Sequence, residues 1–211
     1  STPGWLVENP KWMPETRHEA PPAPGILSLY NRGDRRRWYW QCKHCSEWFE
    51  PDFPLLSYPD IADTKEAGRQ AVMACPHCGG VHEPKDKYGL NNGGRWLKEG
   101  QTIDRDGVVT GAGRKSDIAS FWLKGVCAAF ADWSSLVTNF IDAERIFSET
   151  GDPEPLKVTV NVDQGNPYVP RGLMGGRLPE TLKARAEDLG ERVVPYGVRW
   201  LQASVDVQGN R

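Results

Sequence analysis

Four of the five cysteines form two Cys-x-x-Cys pairs, Cys42 with Cys45 and Cys75 with Cys78. Two intervening residues allow a tight turn to direct both sulfurs toward one point. Two such turns supply the four thiolates of a tetrahedral Zn²⁺ site. In a cytosolic chain, which we expect here, paired Cys-x-x-Cys motifs indicate a metal site before they indicate disulfides. The spacing therefore predicts a structural zinc site, because four protein ligands leave no position for a substrate.

The two pairs differ in the residues that shape each turn. The second pair includes Pro76, which fits a tight turn, and is followed by Gly79, which can adopt the positive φ that lets backbone N–H groups point at sulfur. The first pair has neither a proline nor a following glycine, since Ser46 stands after it. The spacer between the pairs exceeds the usual roughly 15–20 residues, which predicts an inserted loop.

Alternatives to a Cys₄ zinc site stay open at this level. The four thiols could be unrelated core residues, or one pair could be a redox dithiol, although that chemistry needs only one pair. His82 could replace a cysteine as ligand. The histidines within the pairs, His44 and His77, are expected to face solvent.

A basic and aromatic cluster precedes the first pair: Arg32, Arg35, Arg36, Arg37, Trp38, Tyr39 and Trp40. Arginines beside aromatic residues can bind a phosphate backbone and stack on bases, so Arg35, Arg36 and Arg37 are candidate nucleic-acid contacts. The alternative is a solvated turn followed by a strand whose aromatic side chains fill the core. We favour core packing for the aromatic residues, and both interpretations stay open for the arginines.

Three further features could carry chemistry. Asp206 lies near the end of an apolar run, where a carboxylate costs free energy unless it is paired, caps a turn or holds a metal such as Mg²⁺. Residues 111–116 resemble a phosphate-binding loop but lack its Gly-Lys-Ser/Thr core, so we reject that function. Cys127 lies in an apolar run and is predicted to be a core residue.

Composition limits the possible partners and the architecture. The chain has 211 residues, 26 Lys and Arg and 28 Asp and Glu, so its net charge of −2 gives no global case for nucleic-acid or membrane binding. No apolar run is long enough to span a bilayer. The 22 glycines and 17 prolines predict short strands, long loops and few helices.

The sequence predicts the elements that must position these residues. The aromatic run 38–40 favours a strand that enters the first cysteine pair. A helix should follow Asp132, which can cap it, and end at residues 151–153. The other predicted elements are short helical turns at 63–70, a buried run at 118–130, a strand at 156–162, a helix at 178–189 and a buried strand at 198–207.

Several motifs occur in the order found in one family. The chain resembles the large terminase subunits of lambda-type phages, the GpA family, and the resemblance covers nearly the whole chain. The matching segments are Ser1-Thr2-Pro3, Gly33-Asp34-Arg35 through Cys45, Cys75 through Gly79, Gly94-Arg95-Trp96, residues 118–140, Asn161, Gly165 through Tyr168, and Val205 through Arg211. The sequence departs from the family at the first cysteine pair and at Ser204, where a glycine is frequent.

The resemblance implies an enzyme of phage DNA packaging, an ATP-driven motor that also cuts DNA with Mg²⁺ or Mn²⁺. It implies that Ser1 and Thr2 belong to the motif that couples ATP hydrolysis to DNA movement. It also implies that Asp206 is the first metal-binding carboxylate of an RNase H-like nuclease. Double-stranded phage DNA, the small terminase subunit, the portal and further copies of the chain would be partners in the host cytoplasm, or the bacterial cytoplasm for a prophage.

We therefore expect an α+β, loop-rich fold with a zinc-ribbon insertion, connector helices and a first nuclease strand. The expected divisions are 1–37 for the end of the motor and a proline-rich connection, 38–97 for the zinc ribbon, 98–195 for the connector and 196–211 for the nuclease strand. As a piece of a longer protein, it is expected to be inactive alone. The alternatives are a free-standing zinc-ribbon module that binds nucleic acid or protein, and a purely structural connector.

Overall fold

The computed structural model describes Val7, Asn9 and residues 12–170, 193–194 and 196–198. The chain divides into two units, Ser1–Met174 and Gly175–Arg211, and the architecture below is that of the first. Its helices are α1 (Ile26–Arg32), α2 (Thr64–Arg69), α3 (Lys87–Gly93), α4 (Trp133–Thr150) and α5 (Glu154–Val158). Its strands are β1 (Arg36–Gln41), β2 (Trp48–Phe49), β3 (Leu56–Ser57), β4 (Val72–Ala74), β5 (Val81–His82), β6 (Arg95–Leu97), β7 (Thr102–Ile103), β8 (Val109–Thr110) and β9 (Phe121–Trp122). The fold is mixed α and β with small sheets.

Strand β1 is the central strand of the largest sheet. It pairs antiparallel with β2 at one end, where Trp40 lies opposite Phe49, and with β6 along its middle. Strand β9 joins β1 in parallel, with Arg36 opposite Phe121. A second sheet has the order β3-β4-β5, and β7 and β8 form a separate hairpin. The expected strand before the first cysteine pair is confirmed.

Helix α4 supplies the main helical packing surface, and its ends follow the sequence signals. Asp132 caps the helix, since its carboxylate accepts the Ser135 N–H at 2.7 Å. Gly151 ends it in the left-handed conformation, at φ 75°. The predicted helical turns at 63–70 are also present as α2, capped by Asp63. Both predictions are therefore confirmed.

The core lies between α4 and the sheets. Trp40 from β1 and Trp133 from α4 are fully buried and their rings lie 6.5 Å apart. Helix α2 packs closely on α4, because a Cβ at Gly68 would lie 2.5 Å from the Ser134 carbonyl oxygen. Cys42 and Cys75 belong to the same core cluster. The two cysteine pairs are therefore attached to the hydrophobic core rather than to an outlying loop.

The predicted strand at 156–162 is wrong. The segment forms α5 followed by a π-helical turn, Thr159–Asp163, and buries Leu156 and Thr159 while Val158 is exposed. Pro155 favours this outcome, since proline is accommodated in the first turn of a helix but removes a donor from a strand. The apolar residues therefore follow helical spacing rather than alternation.

Two other expectations need correction or lie outside the described residues. The run at 118–130 was predicted to be buried, but only part of it is: Trp122, Val126 and Cys127 are buried, whereas Phe121 and Phe130 are exposed. The predicted helix at 178–189 lies outside the described residues, as does the predicted strand at 198–207 apart from Val198. Within the described part of the chain, no helix is long and apolar enough to cross a membrane.

Candidate metal centre

The four paired cysteines converge on one point. Their Sγ atoms all lie within 4.8 Å of one another. The Sγ of Cys42 is 3.8 Å from that of Cys78, and the Sγ of Cys45 is 3.9 Å from that of Cys75. All five cysteines are free thiols. The predicted grouping of the four cysteines is therefore present in the fold.

The spacing of the sulfurs fits a tetrahedral metal ion. With metal–sulfur bonds of about 2.3 Å, the edge of a thiolate tetrahedron measures about 3.8 Å. The two shortest cross-pair distances in this cluster, 3.8 and 3.9 Å, agree with that edge. A disulfide would need the sulfurs at about 2.05 Å. The donor set can hold one tetrahedral metal ion, and four sulfurs favour Zn²⁺ or iron over harder cations.

Each cysteine pair forms the turn of a β-hairpin, which we call a knuckle. The first knuckle, Cys42–Cys45, joins β1 to β2, and the second knuckle, Cys75–Cys78, joins β4 to β5. In both, the first cysteine's carbonyl accepts the N–H of the residue after the second cysteine, at 2.9 Å. The strand pairing that follows each turn therefore fixes the direction of both sulfurs.

Backbone N–H groups within each knuckle, and one just after the second, point at the sulfurs. The His44 N–H donates to Cys42 Sγ and the His77 N–H donates to Cys75 Sγ, both at 3.4 Å. The Gly80 N–H donates to Cys78 Sγ, also at 3.4 Å. Such donors stabilise negative charge on sulfur, so the knuckles are arranged to hold thiolates.

The surroundings of Cys42 disfavour the charged form of its thiol. Burial, together with hydrogen bonds from the neighbouring thiols, raises the pKa of Cys42 to about 12 despite the donated N–H of His44. A bound metal ion reverses this preference, because it favours the thiolate outright.

Ser46 and Gly79 occupy the same position after the two knuckles, and both have left-handed backbones, at φ 62° and 71°. That conformation costs an L-residue about 1 kcal/mol or more, but glycine almost nothing. A Cβ at Gly79 would meet no atom within 4 Å, so only backbone strain separates the two residues there. The first knuckle therefore folds like the second although it lacks the glycine.

We expect Ser46→Gly to raise the free energy of unfolding of the metal-loaded protein by about 0.5 kcal/mol, after the unfolded-state entropy of glycine is subtracted. Gly79→Ser should lower it by a similar amount. Urea unfolding of both variants beside the wild type measures the two changes. Destabilisation by both substitutions would mean that the Ser46 side chain contributes more than its backbone strain costs.

The knuckle histidines were expected to face solvent, and both are exposed, but each also binds backbone. His44 Nε2 lies 2.9 Å from the Val81 carbonyl oxygen, and His77 Nε2 lies 3.1 Å from that of Trp48. The signal that could have found them is a histidine at the third position of both Cys-x-His-Cys pairs. His82 is fully buried, and its ring stacks on Phe49 at 5.8 Å.

The three candidate arginines lie beside the core, largely buried. Their side chains are 12, 27 and 6% exposed for Arg35, Arg36 and Arg37. Arg37 also lies over the ring of Trp122, at 3.8 Å from its centroid. Each guanidinium has an acidic partner: Arg35 with Glu99 at 3.0 Å, Arg36 with Asp34 at 2.8 Å and Arg37 with Glu50 at 2.9 Å. Nucleic-acid binding by these arginines stays a prediction.

Other predicted site residues are placed as follows. Cys127 is buried in the same core cluster as Trp133, and burial raises the pKa of its thiol, which agrees with a core residue rather than a nucleophile. Ser1 and Thr2, predicted for the coupling motif, and Asp206, predicted for the nuclease, lie outside the described residues.

Comparison with known proteins accounts for most of the chain. Residues 1–96 match the family model described as phage terminase large subunit gpA, ATPase domain. Residues 118–211 match the model described as terminase large subunit gpA, endonuclease domain. Searches of curated proteins and of solved structures gave no match. Because both models describe domains of one protein and leave only residues 97–117 between them, the chain belongs to the phage terminase large subunits of the gpA type, enzymes whose ATPase and endonuclease domains serve DNA packaging.

Proposed function

We propose that residues 36–150 form a zinc-stapled connector between the ATPase and endonuclease segments of a DNA-packaging terminase. The observation that carries this proposal is a core built from both segments. Trp40, Cys42 and Cys75 lie in the part that matches the ATPase model, and they share one cluster with Trp133 and Val137 from the part that matches the endonuclease model. Each segment therefore buries its share of this core against the other.

The strand pairing supports the same role. Strand β9, from the endonuclease match, adds in parallel to β1, from the ATPase match. A parallel pair needs a long crossover, so this junction cannot form from local sequence alone. The metal centre lies where β1 ends, which allows bound zinc to hold the knuckles and the shared core in one arrangement.

The remaining parts of the proposal come from the family. The whole enzyme would use ATP for translocation, and Mg²⁺ or Mn²⁺ for cutting double-stranded DNA, with Asp206 as a metal ligand of an RNase H-like nuclease. Ser1 and Thr2 would serve in coupling. The small terminase subunit, the portal and further copies of the chain would be partners in the host cytoplasm. This chain would be catalytically inactive alone.

A free-standing zinc ribbon that binds nucleic acid through Arg35, Arg36 and Arg37 is less well supported. Each of these guanidinium groups already binds an acidic side chain within the fold, and Arg35 and Arg37 also donate to the Asn31 carbonyl and the Tyr30 hydroxyl. A phosphate would compete with these partners, one of which, the Asp34 carboxylate, is only 3% exposed. The geometry therefore favours a structural role for the cluster.

Elemental analysis and hydrogen exchange together test the connector. We expect about one zinc per purified chain, and a chelator should remove amide protection from β1, β4 and α4 in one step, because they share the core beside the centre. Added zinc should restore it. A purified chain that contains no zinc and yet has full amide protection would contradict the proposed metal centre. Loss of amide protection in β1 and β4 with that of α4 unchanged would contradict the proposed connector.

A further inference from the structure

The two knuckles are related by an approximate twofold symmetry that extends beyond the cysteines. The symmetry relates Cys42 to Cys75 and Cys45 to Cys78, so the Cys42–Cys78 distance of 3.8 Å corresponds to the Cys45–Cys75 distance of 3.9 Å. The N–H to sulfur bonds donated by His44 and His77 correspond in the same way. The hairpin pairing also corresponds, since Trp40 opposes Phe49 in the first hairpin and Met73 opposes His82 in the second.

The axis passes close to a stacked pair of rings. Phe49 and His82 hold equivalent positions in the two hairpins, and their rings stack on each other at 5.8 Å with an interplanar angle of 24°. His82 is fully buried and neither ring nitrogen has a protein partner in the described structure. Its position as the counterpart of Phe49 accounts for this, because the site calls for an aromatic ring rather than a hydrogen-bonding group.

The histidines of the knuckles cross from each hairpin to the other. His44, in the first knuckle, reaches the carbonyl of Val81 in the second hairpin at 2.9 Å. His77, in the second knuckle, reaches the carbonyl of Trp48 in the first hairpin at 3.1 Å. Val81 and Trp48 are themselves equivalent, each three residues after the last cysteine of its knuckle. The two histidine–carbonyl contacts are therefore equivalent under the twofold symmetry.

The chemistry of each contact fixes the tautomer. A backbone carbonyl only accepts, so each Nε2 must carry the proton and donate it. Each histidine consequently makes two contacts: its backbone N–H binds a sulfur of its own knuckle, and its ring N–H binds the backbone of the other hairpin. The ring of His44 is also held by Gly80, where a Cβ would lie 2.5 Å from its Cδ2 atom.

We propose that His44 and His77 are positioning residues of the metal centre, which cross-brace the two knuckles so that all four sulfurs are in place around the metal ion. The inference rests on the proposed zinc site and adds that the histidines hold the site closed without ligating the metal. Partners that orient metal ligands typically change metal affinity by 10–100-fold. The brace should act on metal release, because a knuckle must swing away before the metal ion can leave.

Substitutions whose side-chain N–H lies at different distances from Cα distinguish a specific hydrogen bond from general packing of the histidine ring. The amide nitrogen of glutamine is four bonds from Cα, as is histidine Nε2, whereas that of asparagine is three bonds away. We expect His77→Asn and His77→Ala to speed zinc transfer to a chromogenic chelator about ten-fold or more, and His77→Gln to stay near the wild-type rate. The same series at His44 should give matching effects because of the symmetry.

Two further measurements complete the test. Gly80→Ala should speed release as His44→Ala does, because the added Cβ displaces the His44 ring without removing it. Cobalt-substituted forms of the histidine variants should keep the absorption of a tetrathiolate site, since neither histidine binds the metal.

The outcomes are separable from those that test the zinc site itself. If the wild type binds no zinc or cobalt, the proposed metal centre fails. If the wild type binds metal but His44→Ala and His77→Ala release it at the wild-type rate, the brace is wrong. A cobalt spectrum that shifts toward mixed sulfur and nitrogen ligands would also overturn the brace, because a histidine would then be a ligand.

Discussion

Cys75→Ser is expected to abolish zinc binding and unfold the proposed connector, residues 36–150. Metal binding in structural zinc sites contributes about 10–16 kcal/mol of apparent free energy, whereas whole domains are stable by only about 5–15 kcal/mol. Cys75 also lies within the hydrophobic core cluster, so loss of its sulfur ligand removes an anchor of the core as well as of the metal. Elemental analysis should show the lost zinc, and circular dichroism with hydrogen exchange should show the structure of β1, β4 and α4 lost together.

Cys127→Ala is the matched control. Cys127 is as buried as Cys75 and belongs to the same core, but it lies outside the four-sulfur cluster. We expect it to keep full zinc content and to lose about 1 kcal/mol of stability through the small cavity. Retention of the wild-type unfolding midpoint by Cys75→Ser, with zinc absent, would contradict the view that metal binding stabilises this fold.

The four-cysteine cluster and helix α4 could be predicted from sequence because their signals are local. Two residues between cysteines determine a turn, and four thiols in such turns have few other uses. Asp132 and Gly151 mark the ends of α4 through their own backbone chemistry. In each case the residues that define the feature lie within a few positions of one another.

The features that could not be predicted depend on distant partners. Strand β9 pairs with β1 although the two strands are far apart in sequence, and no sequence signal in residues 121–122 predicts a parallel partner. Residues 156–162 contain enough β-branched residues to indicate a strand, but Pro155 and packing against α4 favour helix instead. Ser46 adopts a left-handed backbone that its residue type disfavours, because the strands and sulfurs on either side require it.

The roles of the arginines and of Asp34 also needed the fold. An Arg-Arg-Arg run beside aromatic residues is consistent with a phosphate-binding surface, and sequence alone could not tell which carboxylates would meet it. The structure places Asp34, Glu50 and Glu99 against the three guanidinium groups. Only one of those carboxylates, Asp34, is adjacent to the run in sequence, so the other pairs exist only because sheet formation brings them there.

Asp34 lies at the junction of the two family segments. Its carboxylate accepts the Ser120 N–H at 3.0 Å, across 86 residues of sequence, and binds Arg36 at 2.8 Å and Lys98 at 3.6 Å. Its own N–H donates to the Ile118 carbonyl at 2.9 Å. Residues 118–120 lead into β9, so this buried carboxylate holds the start of the endonuclease match against the strand from the ATPase match.

Asp34→Ala is therefore expected to lower the free energy of unfolding by about 3 kcal/mol, because it leaves the Ser120 N–H and the Arg36 guanidinium without their buried partner. Asp34→Asn keeps an acceptor for Ser120 and loses only the charge, so it should cost about half as much. Urea unfolding measures both, and hydrogen exchange should show the greatest loss of protection at the β1–β9 pairing.

The pH dependence of Asp34→Asn gives an independent check on the charge. Burial disfavours the carboxylate, but hydrogen bonds from Arg36 and the Ser120 N–H, with the charges of Arg36 and Lys98, outweigh it and hold the pKa of Asp34 below its usual value. A depressed pKa means that the stabilisation is complete above the unfolded-state value near 3.9 and is lost only as pH falls below it. The difference in stability between wild type and Asp34→Asn should therefore be equal at pH 7 and pH 5. A difference that shrinks between those two values would show that Asp34 titrates in that range, and that its ion pairs do not hold the two segments together.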